Sequence, residues 1–325
     1  MDEHLPSVQH QYPCAPRHVE EAERVAYFAE ASISDNTRRA YRSDWRQFET
    51  WCSVKGLTPL PADPSTVALF LSQEADVGRK ASTIKRRMAT ISNAHELAGF
   101  PTPLLDRRVK SVWKGIARTL GSVPAKKKAL ALSDLKAIVT ECGDDLVGRR
   151  DKALLLLAFS SAMRRSELVA LNLEDVAIEG DTGIRLTIRA SKTDQEGKGH
   201  AVGVPCGRHH TYCPVLALRA YLVAARIEKG PVFRACNRWG TLRAHRLTSQ
   251  SVAQILKKRL AAIGLDPTEY GGHSLRSGFV SAAARAKVPE YAIARQSRHR
   301  SVSVLRGYIQ GATLFVDNPA SALDL

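Results

Sequence analysis

The stretch Gly121-Ser122-Val123-Pro124-Ala125-Lys126-Lys127-Lys128-Ala129 decides how the chain is divided. A glycine and a proline interrupt regular structure, and three consecutive lysines favour an extended, solvated backbone. Residues 121–132 therefore read as a basic linker between two domains, more than one of which a chain of 325 residues can hold.

Upstream of the linker, apolar residues recur at three- and four-residue steps. Tyr41, Trp45, Phe48 and Cys52 predict a first helix, with Ser34 or Asn36 as N-cap and Gly56 closing it. Pro59, Pro61 and Pro64 make a loop, and Val67, Phe70 and Leu71 predict a second helix after Ser65. Ile84, Met88 and Ile91 give a third from Ser82, and Val109, Val112, Ile116 and Leu120 a fourth. No stretch of period two interrupts residues 19–120, which predicts an all-helical domain. Residues 1–18 carry three prolines and no periodicity and read as a mobile tail.

Downstream, the pattern turns mixed over residues 133–325. Helices are predicted at 133–142, 148–163, 165–171, 214–228, 248–263, 274–286, 289–296 and 301–310, with a terminal segment at 309–325. Ile184-Arg-Leu-Thr-Ile-Arg alternates as a strand, and Ala201-Val-Gly-Val-Pro is its partner across a polar turn. The fold class is mainly α: a helical N-terminal domain, then a mostly helical α+β domain with a small antiparallel sheet.

Bulk composition excludes several function classes. Hydrophobic residues at 44% and charged residues at 25% are those of an ordinary globular chain, not a disordered one. The apolar run around Leu154–Phe159 is too short to cross a bilayer. The first thirty residues show no signal-peptide pattern. Six scattered cysteines read as reduced thiols, so the expected location is the cytoplasm. The net charge of +16 points to a polyanion partner. Its distribution is uneven: residues 1–30 are net −4, residues 81–128 net +9, and residues 273–308 hold seven bases against Glu290 alone. Two separated basic zones suggest two domains gripping one polyanion, with Lys85, Arg86, Arg87, Lys126, Lys127, Lys128 and Arg298 as its expected contacts.

Three constellations could carry chemistry. Ser161-Ala-Met-Arg-Arg-Ser-Glu-Leu sets Arg164 and Glu167 three apart on a helix, where they share a face and can pair. Gly272-His-Ser-Leu-Arg-Ser-Gly does the same for His273 and Arg276 at a helix start. His299 then precedes Tyr308 by nine residues. Taken singly, each also fits a bland role: a surface ion pair, a cap, a packed tyrosine.

In this order, with a lysine in a strand turn, they resemble the catalytic set of the tyrosine recombinases, also called the phage integrase family. The likeness covers residues 133–310, and the helical N-terminal unit looks like that family's core-binding domain in architecture and charge. The resemblance implies Arg164 and Arg276 as phosphate clamps, His273 as general base or proton shuttle, and Lys192 as general acid. It further implies His299 as a hydrogen-bonding partner of the phosphate, Tyr308 as nucleophile and Glu167 as a supporting acid. Arg165 adjoins Arg164, and Lys198 lies on the same turn as Lys192. The spacing to Glu167 selects the first arginine, and the Ser-Lys-Thr-Asp sequence directly after the strand selects the first lysine. Tyr270 and Tyr291 are rival nucleophiles without the nine-residue offset. The family often has Leu-Gly-His where this chain has Ser297-Arg298-His299, and a histidine where it has Ser277.

Elementary chemistry agrees with those roles. A phosphodiester repels nucleophiles, so its non-bridging oxygens need fixed planar cations, which Arg supplies bidentately. An ordinary phenol has a pKa of about 10, so reaching phenolate at neutral pH costs about 4 kcal/mol. A cationic pocket with an imidazole lowers that cost. No nucleotide motif or acidic metal cluster is visible, and no cofactor is expected. Cys206-Gly-Arg-His-His-Thr-Tyr-Cys213 has zinc-like residues but no second ligand pair, and reads as a turn into a helix at Pro214. By resemblance to Cre and the Xer recombinases, the expected partners are double-stranded DNA with an inverted-repeat site and three further copies of the chain, a homotetramer on DNA, with no membrane. The short acidic N-terminus leaves no room for an added arm-binding domain. Residues 312–325 either dock on a neighbouring subunit or pack in cis. A type IB topoisomerase and a non-catalytic DNA-binding protein are the alternatives.

Overall fold

The computed structural model describes residues 35–121, 127–189, 199–299, 301–316, 320 and 323. The expected tail at 1–18, Lys126 and the turn holding Lys192 and Lys198 lie outside the described residues. The chain divides into two compact units, residues 1–125 and 126–325.

The first unit holds α1 (Asp35–Lys55), α2 (Pro64–Asp76), α3 (Ala81–Leu97) and α4 (Arg107–Thr119). Local chemistry fixes the ends: Asp63 accepts the Ser65 N–H at 2.7 Å ahead of α2, and Asp106 accepts the Arg108 N–H at 2.7 Å ahead of α4. The periodic apolar residues meet in one core of Trp45, Phe48, Cys52, Val67, Phe70, Leu71, Ile84, Ile91, Val109 and Ile116. Phe48 and Phe70 pack edge to face with centroids 5.0 Å apart.

The basic stripe of α3 does not all face solvent. Lys85 is exposed, and Arg86 makes a bidentate pair with Asp44 at 2.6 and 2.9 Å. Arg87 is buried, paired with Glu74 and 3.6 Å from Asp44, with Gln47 on its other nitrogen. That guanidinium neutralises two interior carboxylates, which corrects the expectation that it contacts DNA. Helical periodicity puts residue 87 one turn from Ile84 and Ile91, on the inward face.

The second unit is built around α6 (Leu146–Ser161), whose run from Ala153 to Phe159 is buried on all sides. Around it stand α5 (Leu132–Thr140), α7 (Arg165–Ala170), α8 (Pro214–Ala224), α9 (Ser249–Ala262), α10 (Ser274–Arg285), α11 (Glu290–Ser297) and α12 (Val302–Ala312). No helix among the described residues is long and apolar enough to cross a membrane.

The sheet is antiparallel in the order β1 (Val176–Glu179), β2 (Gly183–Ile188), β3 (His200–Pro205). Leu186 faces Val202 and Ile184 faces Val204, so the buried residues of β2 and β3 coincide across the ladder. A second hairpin, β4 (Arg234–Cys236) and β5 (Leu242–Arg246), was not expected. β5 is basic and mostly exposed and β4 is only three residues long, so neither shows the alternation that marks a half-buried strand. The turn is closed locally, Asn237 Oδ1 accepting from the N–H groups of Trp239 and Thr241 at 2.9 and 3.0 Å.

The end of the expected linker is docked on this second unit. Lys128 N–H donates to Glu269 O and Leu130 N–H to Ser274 O, both at 2.9 Å, and Leu130 is buried. The lysine ammonium groups bond here as well, Lys127 to Thr268 O and Lys128 to Glu269, each at 2.6 Å. Both lysine side chains are solvent-exposed.

Candidate active site

Four separate segments of the chain converge on one cavity of about 200 Å³, lined by Arg164, His273, Arg276, Ser277, His299, Val304 and Tyr308. Five of the six residues singled out for catalysis thus line one hollow, and the sixth, Lys192, lies outside the described residues. Tyr270 is buried elsewhere and Tyr291 is 73% exposed; neither lines the cavity.

The first arginine sits where α6 ends and α7 begins. Ala162 takes a left-handed backbone (φ 50°) and stops α6, leaving Arg164 as the N-cap of α7. Glu167, in the first turn, reaches back: its Oε2 accepts the Arg164 backbone N–H at 2.9 Å and its Oε1 accepts Arg164 Nη1 at 2.7 Å. The expected pairing exists, but as the return arm of a capping box rather than as two residues on one helical face. It fixes both backbone and guanidinium of Arg164.

His273 is the N-cap of α10, and Arg276 lies in its first turn, 5% exposed. Arg276 Nη1 donates to Ala162 O at 2.7 Å, a carbonyl that the end of α6 leaves without a helical partner. One bond therefore joins the two arginine-bearing segments. Burial first, and then Arg164 and Arg298, bring Arg276 down to about 10, so it is still charged at neutral pH. Burial and then Arg276, Arg165 and Arg164 hold His273 below the usual imidazole range.

His299 follows α11. Burial, then Arg276, Arg164 and His273, push it down to about 4, so its ring is neutral at pH 7. Ser297, fully buried, lies 2.7 Å from His299 Nδ1 and donates its hydroxyl to Ile293 O at 2.6 Å. With that single proton committed, the serine oxygen accepts from Nδ1–H, and His299 Nε2 is left as an acceptor. The Ser297 role was not evident from sequence, where the residue only departs from a family pattern.

Tyr308 lies on α12, one turn after Val304, its ring centroid 6.1 Å from that of His299. The helix is seated by Leu305 in a small core with Val280, Ala284 and Ile293. Beyond it, Leu314, Phe315 and Leu323 are exposed by 62, 87 and 64%.

Arg298 departs from expectation. It holds a left-handed backbone (φ 52°, ψ 48°), which costs a non-glycine residue about 1–2 kcal/mol. Its Nη2 donates to Glu167 Oε2 at 2.8 Å, and its side chain is 12% exposed. Nε and Nη1 are buried without a hydrogen-bond partner among the described residues. It stands behind the Glu167 carboxylate and does not line the cavity, a placement at odds with the expectation of a phosphate contact.

The Cys206–Cys213 segment forms a turn in which Gly207 N–H donates to Cys213 Sγ at 3.2 Å and the chain enters α8 at Pro214.

Comparison with known proteins bears on all of this. Residues 128–313 match the phage integrase family, and residues 25–98 match the N-terminal SAM-like domain of phage integrases. An integrase/recombinase xerD homolog of Selenomonas ruminantium is 37% identical over 308 residues, covering 92% of this chain and 90% of that protein. Tyrosine recombinase XerC of Thermodesulfovibrio yellowstonii is 29% identical over 255 residues, 76% of each chain. Among solved structures, the fold is similar to that of the XerH site-specific recombinase in its post-cleavage complex with palindromic difH. The TM-score is 0.65 at 16% identity, over 96% of this chain and 86% of that one.

Proposed function

The chain belongs to the phage integrase family, and on that premise we propose how its own residues cut and rejoin DNA. It is a site-specific DNA recombinase of the tyrosine type, exchanging strands between duplexes through a 3′-phosphotyrosyl intermediate. The observation that carries the residue assignments is a phenol, two imidazoles and two guanidiniums lining one cavity of about 200 Å³.

Arg164 and Arg276 bind the non-bridging oxygens of the scissile phosphate and the charge that grows on them in the transition state. Tyr308 Oη attacks phosphorus; the Oη–P bond forms and the P–O5′ bond breaks. Lys192 gives the leaving 5′-oxygen its proton, a role that rests on resemblance alone. Two neutral imidazoles can take the phenol proton, and His299 is the better acceptor because Ser297 occupies its Nδ1–H. That departs from the phosphate-donor role its position implies. In the second half-reaction, a free 5′-hydroxyl from the partner duplex returns its proton to Lys192 and attacks phosphorus, the P–Oη bond breaks, and Tyr308 leaves by retaking its proton from His299. Bond energy is kept in the phosphotyrosyl link throughout.

Exchange between two duplexes requires four active sites, so we infer a homotetramer on DNA. A palindromic site, like the one bound by the XerH structure, is an inverted repeat, and the same arrangement is inferred here. The exposed Leu314, Phe315 and Leu323 support docking of the terminal segment on a neighbouring subunit.

The test is covalent capture. Wild-type protein incubated with a randomised duplex pool leaves a denaturant-resistant protein–DNA adduct, and Tyr308→Phe leaves none. An adduct formed by the phenylalanine variant would exclude Tyr308 as nucleophile. Relaxation of a supercoiled plasmid lacking any selected site would favour a topoisomerase instead.

A further inference from the structure

We infer that Arg298 is a positioning residue for cleavage: from the protein side it clamps the Glu167 carboxylate that orients Arg164, and it makes no contact with DNA. The inference rests on the reading of the cavity as the site of phosphodiester cleavage.

Geometry comes first. Glu167 is 4% exposed and both its oxygens are in use, Oε1 by Arg164 Nη1 at 2.7 Å and Oε2 by Arg164 N–H at 2.9 Å and Arg298 Nη2 at 2.8 Å. A carboxylate held from two sides cannot rotate about its last bond, so it presents Oε1 to Arg164 in one orientation. Take Arg298 away and one backbone N–H is left to hold Oε2, while the Arg164 guanidinium can follow the carboxylate as it turns. Preorganisation of that guanidinium is what the transition state depends on.

Burial supplies the second observation. The Arg298 side chain is 12% exposed, and its Nε and Nη1 find no hydrogen-bond partner among the described residues. Arg164 and Arg276 line the cavity and Arg298 does not, its fork being set behind the Glu167 carboxylate. The backbone supplies the third: a left-handed residue on the turn before His299 is a place where glycine costs nothing, yet a long cation stands there. Strain retained beside a reactive centre points to a contribution at that centre. A further effect acts through space, because Arg298 adds positive potential at Arg276 and hence over the cavity.

Two neutral variants test this. Arg298→Gly suits the left-handed backbone, and Arg298→Gln keeps most of the length while removing the charge. The probe is a nicked duplex carrying the sequence that wild-type protein selects from a randomised pool. Single-turnover adduct formation is measured at saturating protein, and binding is measured across salt concentrations. The expected result is unchanged affinity, an unchanged log–log salt slope, and cleavage slower by about tenfold. That is less than the loss of about 10²–10³ for a donor touching the phosphate itself. In a Glu167→Gln background, removing Arg298 adds little further, since the two act through one another. If the glycine variant folds poorly, the glutamine variant decides by the same split. A slope shallower by about 0.9 with normal cleavage at saturation would make Arg298 a phosphate contact and overturn the inference. Wild-type cleavage at an unchanged slope would overturn it equally. Failure of the wild-type protein to form any adduct would strike the reading of the cavity, and this inference with it.

Discussion

Replacing Gly278 by alanine sets two physical effects against each other. Within a helix interior, glycine to alanine ordinarily stabilises by about 1 kcal/mol. Gly278 lies inside α10, two residues after Arg276, and is buried. A Cβ there would overlap Leu130 O, and would stand 2.9 Å from Phe159 Cε2 and 3.1 Å from Leu130 N. Two of those three atoms are backbone, so no side-chain rotation relieves the clash. Either α10 moves off α6, or the strap of residues 127–130 lifts away. Overpacking of this kind costs about 1–3 kcal/mol. Lifting the strap instead loses the Lys128–Glu269 and Leu130–Ser274 backbone bonds and exposes the Leu130 side chain. At about 1 kcal/mol per bond and about 2 kcal/mol for the leucine, release caps the penalty near 4 kcal/mol. After the helix-propensity gain, overpacking leaves a net loss of up to about 2 kcal/mol and strap release at most about 3 kcal/mol, a fall in melting temperature of no more than roughly 10 °C for a unit of this size. Because the same helix bears His273 and Arg276, adduct formation should fall along with stability. Differential scanning calorimetry and covalent capture read the two consequences. A variant that melts higher than wild type and captures DNA normally would refute the steric reasoning and the strap–helix contact behind it.

Arg87→Met should leave the largely buried Glu74 without its close cation, while Asp44 keeps Arg86, at about 3 kcal/mol of stability, and the salt slope of DNA binding stays as in wild type. Urea unfolding and a salt titration check the pair, and a slope reduced by about 0.9 would return Arg87 to the DNA surface. Ser297→Ala removes the group that holds the His299 tautomer, so single-turnover cleavage should drop by about tenfold to a hundredfold. Equal rates for variant and wild type from pH 6 to pH 9 would remove the histidine–serine relay. His273 and His299 are both held below the ordinary imidazole value of about 6.5, His299 at about 4. Between those values the unfolded chain binds protons that the folded chain does not, so stability should be fully present above pH 6.5 and decline toward pH 4. Denaturation midpoints at pH 7 and pH 5 test this, and His299→Gln should flatten the difference.

Much of the fold was legible because its signals are local. Trp45, Phe48 and Cys52 sit at helical spacing, and a helix with such a stripe buries it wherever its neighbours happen to be. Ile184, Leu186 and Ile188 alternate, and β2 followed. The predicted helix at 214–228 ended early, at Ala224, because Arg226 takes a left-handed turn whose bonds to residues 222 and 223 compete with further helix. The β4–β5 hairpin was missed because a short, basic ribbon carries no apolar period.

The sequence alone determined the helical and strand segments, the excess positive charge, and the kinds of side chain available for phosphoryl chemistry. Only the tertiary structure decided which cations line the cavity and which serve the protein interior. Arg87 and Arg298 look like their neighbours in one dimension, yet each is turned inward onto a carboxylate. Periodicity reports the face a residue takes on its own element. Which distant face lies opposite, and so whether a charge ends beside water, DNA or a buried acid, is settled by packing between elements far apart in the chain.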